Sequence, residues 1–236
     1  MKVLISILFV SVLSFSFTQK MKQPRMKNFD KKPFSFGFTL GLNSSDFTVY
    51  QLQDAYESYG LVSITNKSQP GGQLGILSSL KLWTPVLRLR LMPCLSFQER
   101  VLEYRSIDST LFPMGTGEER VNSTSLELPL TLLFKTKRFN NFTAYALFGG
   151  QYVIDLQSQQ DASQNYIDPF IKLSRYDIQS QLGFGVEFFA PYFKFAMELK
   201  YTHGMTNSFI QDYSPVAKPI DKLYNKGWWF SIILES

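Results

Sequence analysis

Phe34-Ser35-Phe36-Gly37-Phe38-Thr39-Leu40-Gly41-Leu42-Asn43 alternates without a break. Every even position is a large apolar side chain, and every odd one is small or polar. Residues two apart share one face of a strand, whereas a helix would scatter them around its axis. The same period of two recurs along the chain and predicts eight strands, at 34–43, 71–83, 86–99, 122–134, 142–155, 175–189, 192–203 and 227–236. In the third, Leu87, Leu89, Leu91, Leu95 and Phe97 oppose Arg88, Arg90, Cys94, Ser96 and Gln98. In the sixth, Tyr176, Ile178, Leu182, Phe184 and Phe188 oppose Asp177, Gln179, Gln181, Gly183 and Glu187. The fifth, around Tyr145 and Gly149-Gly150, alternates least clearly.

The body of each apolar face carries no Asp, Glu, Lys or Arg, in a chain that is 18% charged. An eight-stranded barrel has an interior just wide enough for side chains to fill. It cannot hold that many bulky apolar groups, so the apolar face must point outward, toward lipid. Apolar-out, polar-in segments of about ten residues are the pattern of a membrane-spanning β-barrel. Closure is required because lipid offers no partner to an open strand edge. The predicted fold is therefore all-β, a closed eight-stranded antiparallel transmembrane barrel of the outer-membrane type. Phe34, Trp83, Phe134, Phe142, Phe188, Tyr192 and Phe193 gather at one set of strand ends, as an interfacial girdle would.

Connections alternate long and short: 44–70, 84–85, 100–121, 135–141, 156–174, 190–191 and 204–226. Short turns belong on the periplasmic side and long loops outside, which places both termini in the periplasm. Pro93 has no N–H for the ladder, so a bulge is expected there.

Composition narrows the chemistry. A single cysteine, Cys94, excludes an intramolecular disulfide framework, and a single histidine, His203, excludes a His-rich metal centre. The formal charge of +5 is a property of the first 32 residues: Lys2, Lys20, Lys22, Arg25, Lys27, Lys31 and Lys32 against Asp30 sum to +6, leaving −1 for the remainder. No basic face is left for nucleic acid. Lys2 followed by the apolar run Val3 to Phe17 and small residues at Ser16 and Thr18 reads as a secretory signal peptide over 1–18. A basic periplasmic tail over 19–33 and the barrel over 34–236 complete the predicted organisation.

The inward charges expected from strand parity are Lys81, Arg88, Arg90, Glu127, Asp155, Asp177, Glu187, Lys194, Glu198 and Lys200. They read as a structural network filling the lumen. Two-residue turns at 190–191 and 84–85 would set Glu187 opposite Lys194, and Lys81 opposite Arg88. The second, like-charged pair needs an acid, for which Glu127 and Glu187 are candidates. Cys94 reads as a small lumen filler. His203 with Ser208 nearby is the only pairing resembling a base and a nucleophile, and no third group is placed to orient the histidine. No phosphate loop, metal spacing or nucleotide fingerprint is present, so no cofactor, small-molecule substrate or enzyme activity is expected; membrane lipid is the expected contact.

Phe36-Gly37-Phe38-Thr39-Leu40-Gly41-Leu42-Asn43 with Asp46-Phe47, and Leu89-Arg90-Leu91-Met92-Pro93-Cys94-Leu95-Ser96-Phe97-Gln98-Glu99-Arg100, resemble the PorT family. So do Leu126-Glu127-Leu128-Pro129-Leu130, Gly149-Gly150 with Asp155-Leu156, Tyr192-Phe193-Lys194-Phe195 with Glu198-Leu199-Lys200, and Lys218-Pro219-Ile220-Asp221-Lys222-Leu223. The resemblance follows the chain in order from strand one onward. It implies an outer-membrane barrel required for type IX secretion, and for gliding motility where that occurs, with other secretion subunits as partners. It carries over no catalytic residue. A barrel of adhesion or envelope stability is the alternative that the strand pattern alone allows.

Overall fold

A computed structural model describes residues 25–26, 29–55, 57, 61–106, 116–158, 171–212 and 216–236. The expected signal peptide lies outside these residues. The strands are β1 (Phe34–Gln51), β2 (Leu61–Lys81), β3 (Leu87–Leu91), β4 (Cys94–Ser106), β5 (Thr116–Lys135), β6 (Phe142–Asp155), β7 (Tyr176–Phe189), β8 (Lys194–Gly204) and β9 (Ile220–Glu235). All neighbouring pairs are antiparallel, and β1 pairs with both β9 and β2, so the sheet closes on itself. β3 and β4 are one stave, divided at Met92-Pro93, which gives eight staves in the ring. Among the described residues no helix is long and apolar enough to cross a membrane; this wall crosses with strands.

The proline interrupts the ladder without shifting it. Ser78 faces Leu91 and Gly75 faces Cys94 in one register, and β5 keeps a single register against both halves. The bulge expected at Pro93 is thus absent. The irregularity lies on the neighbouring strand, between Ser68 and Gly72, around Pro70.

Several strands run past the apolar repeat at the long-loop end, and the missing signal there has a physical cause. On β1 the outward residues change from Phe34, Phe36, Phe38, Leu40 and Leu42, all exposed, to Ser44, Asp46 and Thr48. The inward ones change from Ser35, Thr39, Asn43 and Ser45 to buried Phe47. β4 reverses in the same way: Leu95 and Phe97 outward give way to Glu99 and Glu103, while Ser96, Gln98 and Arg100 inward give way to Leu102 and Tyr104. Register aligns the change, since Leu42 faces Phe230, Ser44 faces Trp228, and Asp46 faces Lys226 at 3.6 Å. Below that level the solvent is lipid and the protein is polar inside. Above it the solvent is water and the protein has an ordinary apolar core. Nine residues from Phe34 to Leu42, at about 3.3 Å each and tilted by about 40°, cover roughly 20 Å of height, near the ~25 Å expected of a lipid-facing band.

The upper core is closed by the connections. Ile171, Leu173, Phe209, Val216 and Ala217 pack onto Phe47, Leu61, Leu102, Tyr104 and Leu223. Backbone bonds tie the two covering segments together, Ser174 N–H to the Ser208 carbonyl at 2.8 Å and Ile210 N–H to that of Lys172 at 3.0 Å. Burial pushes the Tyr104 phenol well above its ordinary range, and as a neutral donor it reaches the Val216 carbonyl at 3.0 Å.

Candidate functional site

The lumen holds the charges. Among the described residues six basic side chains (Arg88, Arg90, Arg100, Lys135, Lys194, Lys200) and five acidic ones (Glu127, Asp177, Glu187, Glu198, Glu235) are buried. Half-buried Asp155, bonded by the Ser123 hydroxyl at 2.8 Å, evens the count. Near-neutrality matters because an unpaired ion in such an interior costs several kcal/mol.

Three layers can be distinguished. At the short-turn end Glu187 takes Lys135 at 2.6 Å and Lys194 at 2.9 Å, and Lys194 reaches on to Glu235 at 2.5 Å. Glu235 accepts from the Ser35 hydroxyl, whose oxygen in turn accepts from Arg88 at 3.1 Å. In the middle Glu198 Oε2 accepts from Arg90 and from the Tyr145 hydroxyl, both at 2.7 Å, with Lys200 at 3.7 Å from its other oxygen. Toward the long-loop end Gln98 bridges Glu127, at 2.8 Å, and Arg100, while Asp177 accepts from Gln179 at 2.8 Å and Asn225 at 2.7 Å. Between the first two layers, inward Leu77, Met92, Leu133, Leu147, Ala196 and Ile233 form a small apolar cluster.

The base carries a stopper. A single 3-10 turn, Phe29–Lys31, sets the Phe29 ring 4.7 Å from Lys194 Nζ and 5.3 Å from the Arg88 guanidinium, edge-on to Phe189. The Phe29 carbonyl accepts from Arg88 at 3.3 Å. Upstream, Arg25 N–H bonds Asn141 at 2.7 Å, and Arg138 donates to the Arg25 carbonyl while stacking on Phe189. Arg25 and the turn from Phe29 to Pro33 therefore lie at the short-turn mouth.

Eight of the ten charges expected inside are buried in the lumen, and Asp155 is half-buried. Lys81 is the exception: it faces Arg88 as expected, but sits at the rim with its Nζ on the Lys31 carbonyl at 3.3 Å. The acid serving Arg88 is Glu235 through Ser35, rather than Glu127 or Glu187. Glu187 lies opposite Ala196, not Lys194, because the 190–193 turn is two residues longer than expected. Lys194 reaches it diagonally. Arg100, Lys135, Glu235, Tyr145 and Phe29 were not among the expected lumen residues. Strand parity marks Lys135, two beyond Leu133, and Glu235, two beyond Ile233; Phe29 has no such signal, since it precedes the first strand.

His203 points outward between Tyr201 and Tyr224, whereas Ser208 is buried inside against Asn225 at 2.9 Å. The wall separates them, so they form no base–nucleophile pair.

The model of the family described as outer membrane protein beta-barrel domain matches residues 17–210. The chain belongs to that family. This barrel is also similar to solved structures at low identity. With OprG of Pseudomonas aeruginosa it shares 16% identity over 86% of this chain and 93% of that one, with a TM-score of 0.46. With Ail of Yersinia pestis the figures are 9%, 87%, 100% and 0.39. With the outer membrane enzyme PagL they are 10%, 81%, 97% and 0.35. A comparison with the curated proteins finds no match. Membership of the family points to the cell outer membrane, with membrane lipid around the apolar band.

Proposed function

We propose that this barrel is a non-enzymatic accessory component of type IX secretion in the outer membrane, acting through protein contacts at its two ends, with long loops outside and both termini in the periplasm. The resemblance of its strand sequences to the PorT family supports the pathway. The observation that carries the mode of action is the filled lumen. A barrel packed by the Arg90–Glu198–Tyr145 layer, stoppered by Phe29 and roofed by the Phe47–Leu102–Leu223 core is no conduit for a polypeptide. Its work must therefore be done on its surfaces.

Clean deletion in the native host tests this. Cargo bearing the secretion-sorting domain is expected to accumulate in the periplasm and to return to the medium on complementation. Normal export in the deletion strain, with detergent sensitivity or lost surface attachment instead, overturns the secretion role in favour of an adhesion or envelope-stability barrel.

A further inference from the structure

Five aromatic rings climb the outer wall across three adjacent staves. Trp228 contacts Tyr201 at 5.0 Å between ring centroids; Tyr201 stacks with His203 at 6.5 Å, His203 with Tyr224 at 6.4 Å, and Tyr224 meets Tyr50 edge-on at 5.8 Å. Trp228 and Tyr50 are each 53% exposed. The stripe begins at the level of Ser44, where the outward face turns from apolar to polar, and register places Tyr224 beside Thr48 and Tyr50 beside Lys222. Tyr50 is six residues beyond Ser44. At about 3.4 Å per residue and a tilt of about 40°, its ring stands ~15 Å above the apolar band.

That height decides the partner. The polar layer on each side of a hydrocarbon core is only about 6 Å deep in an ordinary bilayer, so an interfacial girdle accounts for Trp228, Tyr201 and His203, which is level with Asp46, and for nothing higher. Tyr224, level with Thr48, and Tyr50 stand where a phospholipid leaflet would leave them in water. The stripe is one ring wide, flanked by Thr48, Asp46, Lys226 and Lys222, and continuous below with the lipid-facing band. A protein-docking patch is broader and apolar at its centre. A saccharide matches the pattern found here: its C–H face stacks on an aromatic plane, and its hydroxyls and any phosphates meet polar and cationic neighbours.

We propose that the stripe Trp228–Tyr201–His203–Tyr224–Tyr50 is a docking track for the saccharide headgroup of a glycolipid anchored in the surrounding leaflet. The proposal rests on the reading that the long-loop end faces outward, and not on the secretion role.

The full-length barrel in detergent would be titrated with rough lipopolysaccharide carrying its core oligosaccharide, and separately with phosphatidylethanolamine, with binding read by native mass spectrometry. The wild type is expected to prefer the lipopolysaccharide at least tenfold. Tyr50→Ser with Tyr224→Ser should cut that preference at least fivefold, with phosphatidylethanolamine binding and the heat-dependent gel shift of a folded barrel unchanged. No preference in the wild type, or an undiminished preference in the double variant, overturns the proposal. So does a loss caused by Lys226→Gln and not by the ring changes, which would make the attraction one of charge alone. An epitope inserted within 107–115 and probed on intact cells tests orientation separately, because binding in detergent does not depend on which way the barrel faces.

Discussion

Tyr145 and Glu198 stand two staves apart in the same row of the barrel, yet the Tyr145 hydroxyl donates to Glu198 at 2.7 Å. The stave between them offers Gly185, which faces Tyr145 on one side and Glu198 on the other. A Cβ there would lie 2.5 Å from the Tyr145 hydroxyl oxygen. The missing side chain is what lets the ring lie down along the wall and complete the Arg90–Glu198 pair. Tyr145→Phe removes one donor from a buried carboxylate and is expected to cost about 1–3 kcal/mol. Gly185→Val displaces the ring altogether and is expected to cost more than Tyr145→Phe. Urea unfolding in micelles, followed by tryptophan fluorescence, would rank the two; a Tyr145→Phe midpoint equal to that of the wild type would show that the bridge contributes nothing.

Glu187 serves two lysines from two different staves, Lys135 and Lys194. Removing its charge takes the carboxylate from buried Lys135 and leaves it beside Lys194, which keeps Glu235, so Glu187→Gln is expected to destabilise by about 3–5 kcal/mol. Pairing it with Lys135→Met removes the excess charge and should recover part of that loss. Additive losses in the double variant, measured by the same unfolding assay, would refute the shared-ion reading.

The fold was legible from period-two alternation because lipid and lumen impose opposite demands on successive residues. Phe34 to Leu42 could be read one residue at a time. Legibility failed where the solvent changes. Above Ser44 and Phe97 the strands continue, but Phe47 and Leu102 point inward and Asp46 and Glu99 outward, so the lipid-facing repeat stops at a level where the strand does not. On β6 the pattern was faint because Tyr145 and Leu147 are apolar on the lumen side. Parity found most of the charged network, since a buried charge in an apolar-out strand has one face available. Pairing was less legible: it depends on turn length, and two extra residues at 190–193 moved Glu187 from Lys194 to Ala196.

Phe29 fills the short-turn mouth, but the layer formed by Arg90, Glu198 and Tyr145 lies deeper. Phe29→Ala is therefore expected to leave the barrel folded and non-conducting in a planar bilayer. The expected change is local, with proteolysis of the segment before Pro33 becoming faster as Arg88 and Lys194 lose the ring that covers them. Steady open-channel current from Phe29→Ala alone would mean that the stopper, and not the mid-lumen layer, closes the barrel.

Pro93 accepts a bond from the Ile76 N–H at 3.1 Å through its carbonyl but has no N–H to return to Ile76. The site is in the apolar band, beside exposed Leu74 and Ile76. A backbone acceptor without its partner is costly in lipid, where water cannot substitute. Restoring the donor should then outweigh the chain entropy that proline saves, about 0.4–1 kcal/mol. Since the register on either side of Pro93 is already continuous, Pro93→Ala needs no rearrangement to form the bond. The variant is expected to be more stable by about 1 kcal/mol, with β3 and β4 merging into one uninterrupted strand. An unfolding midpoint at or below that of the wild type would mean that the Ile76 carbonyl is already satisfied from within the wall, and that the proline stiffens the stave without weakening it.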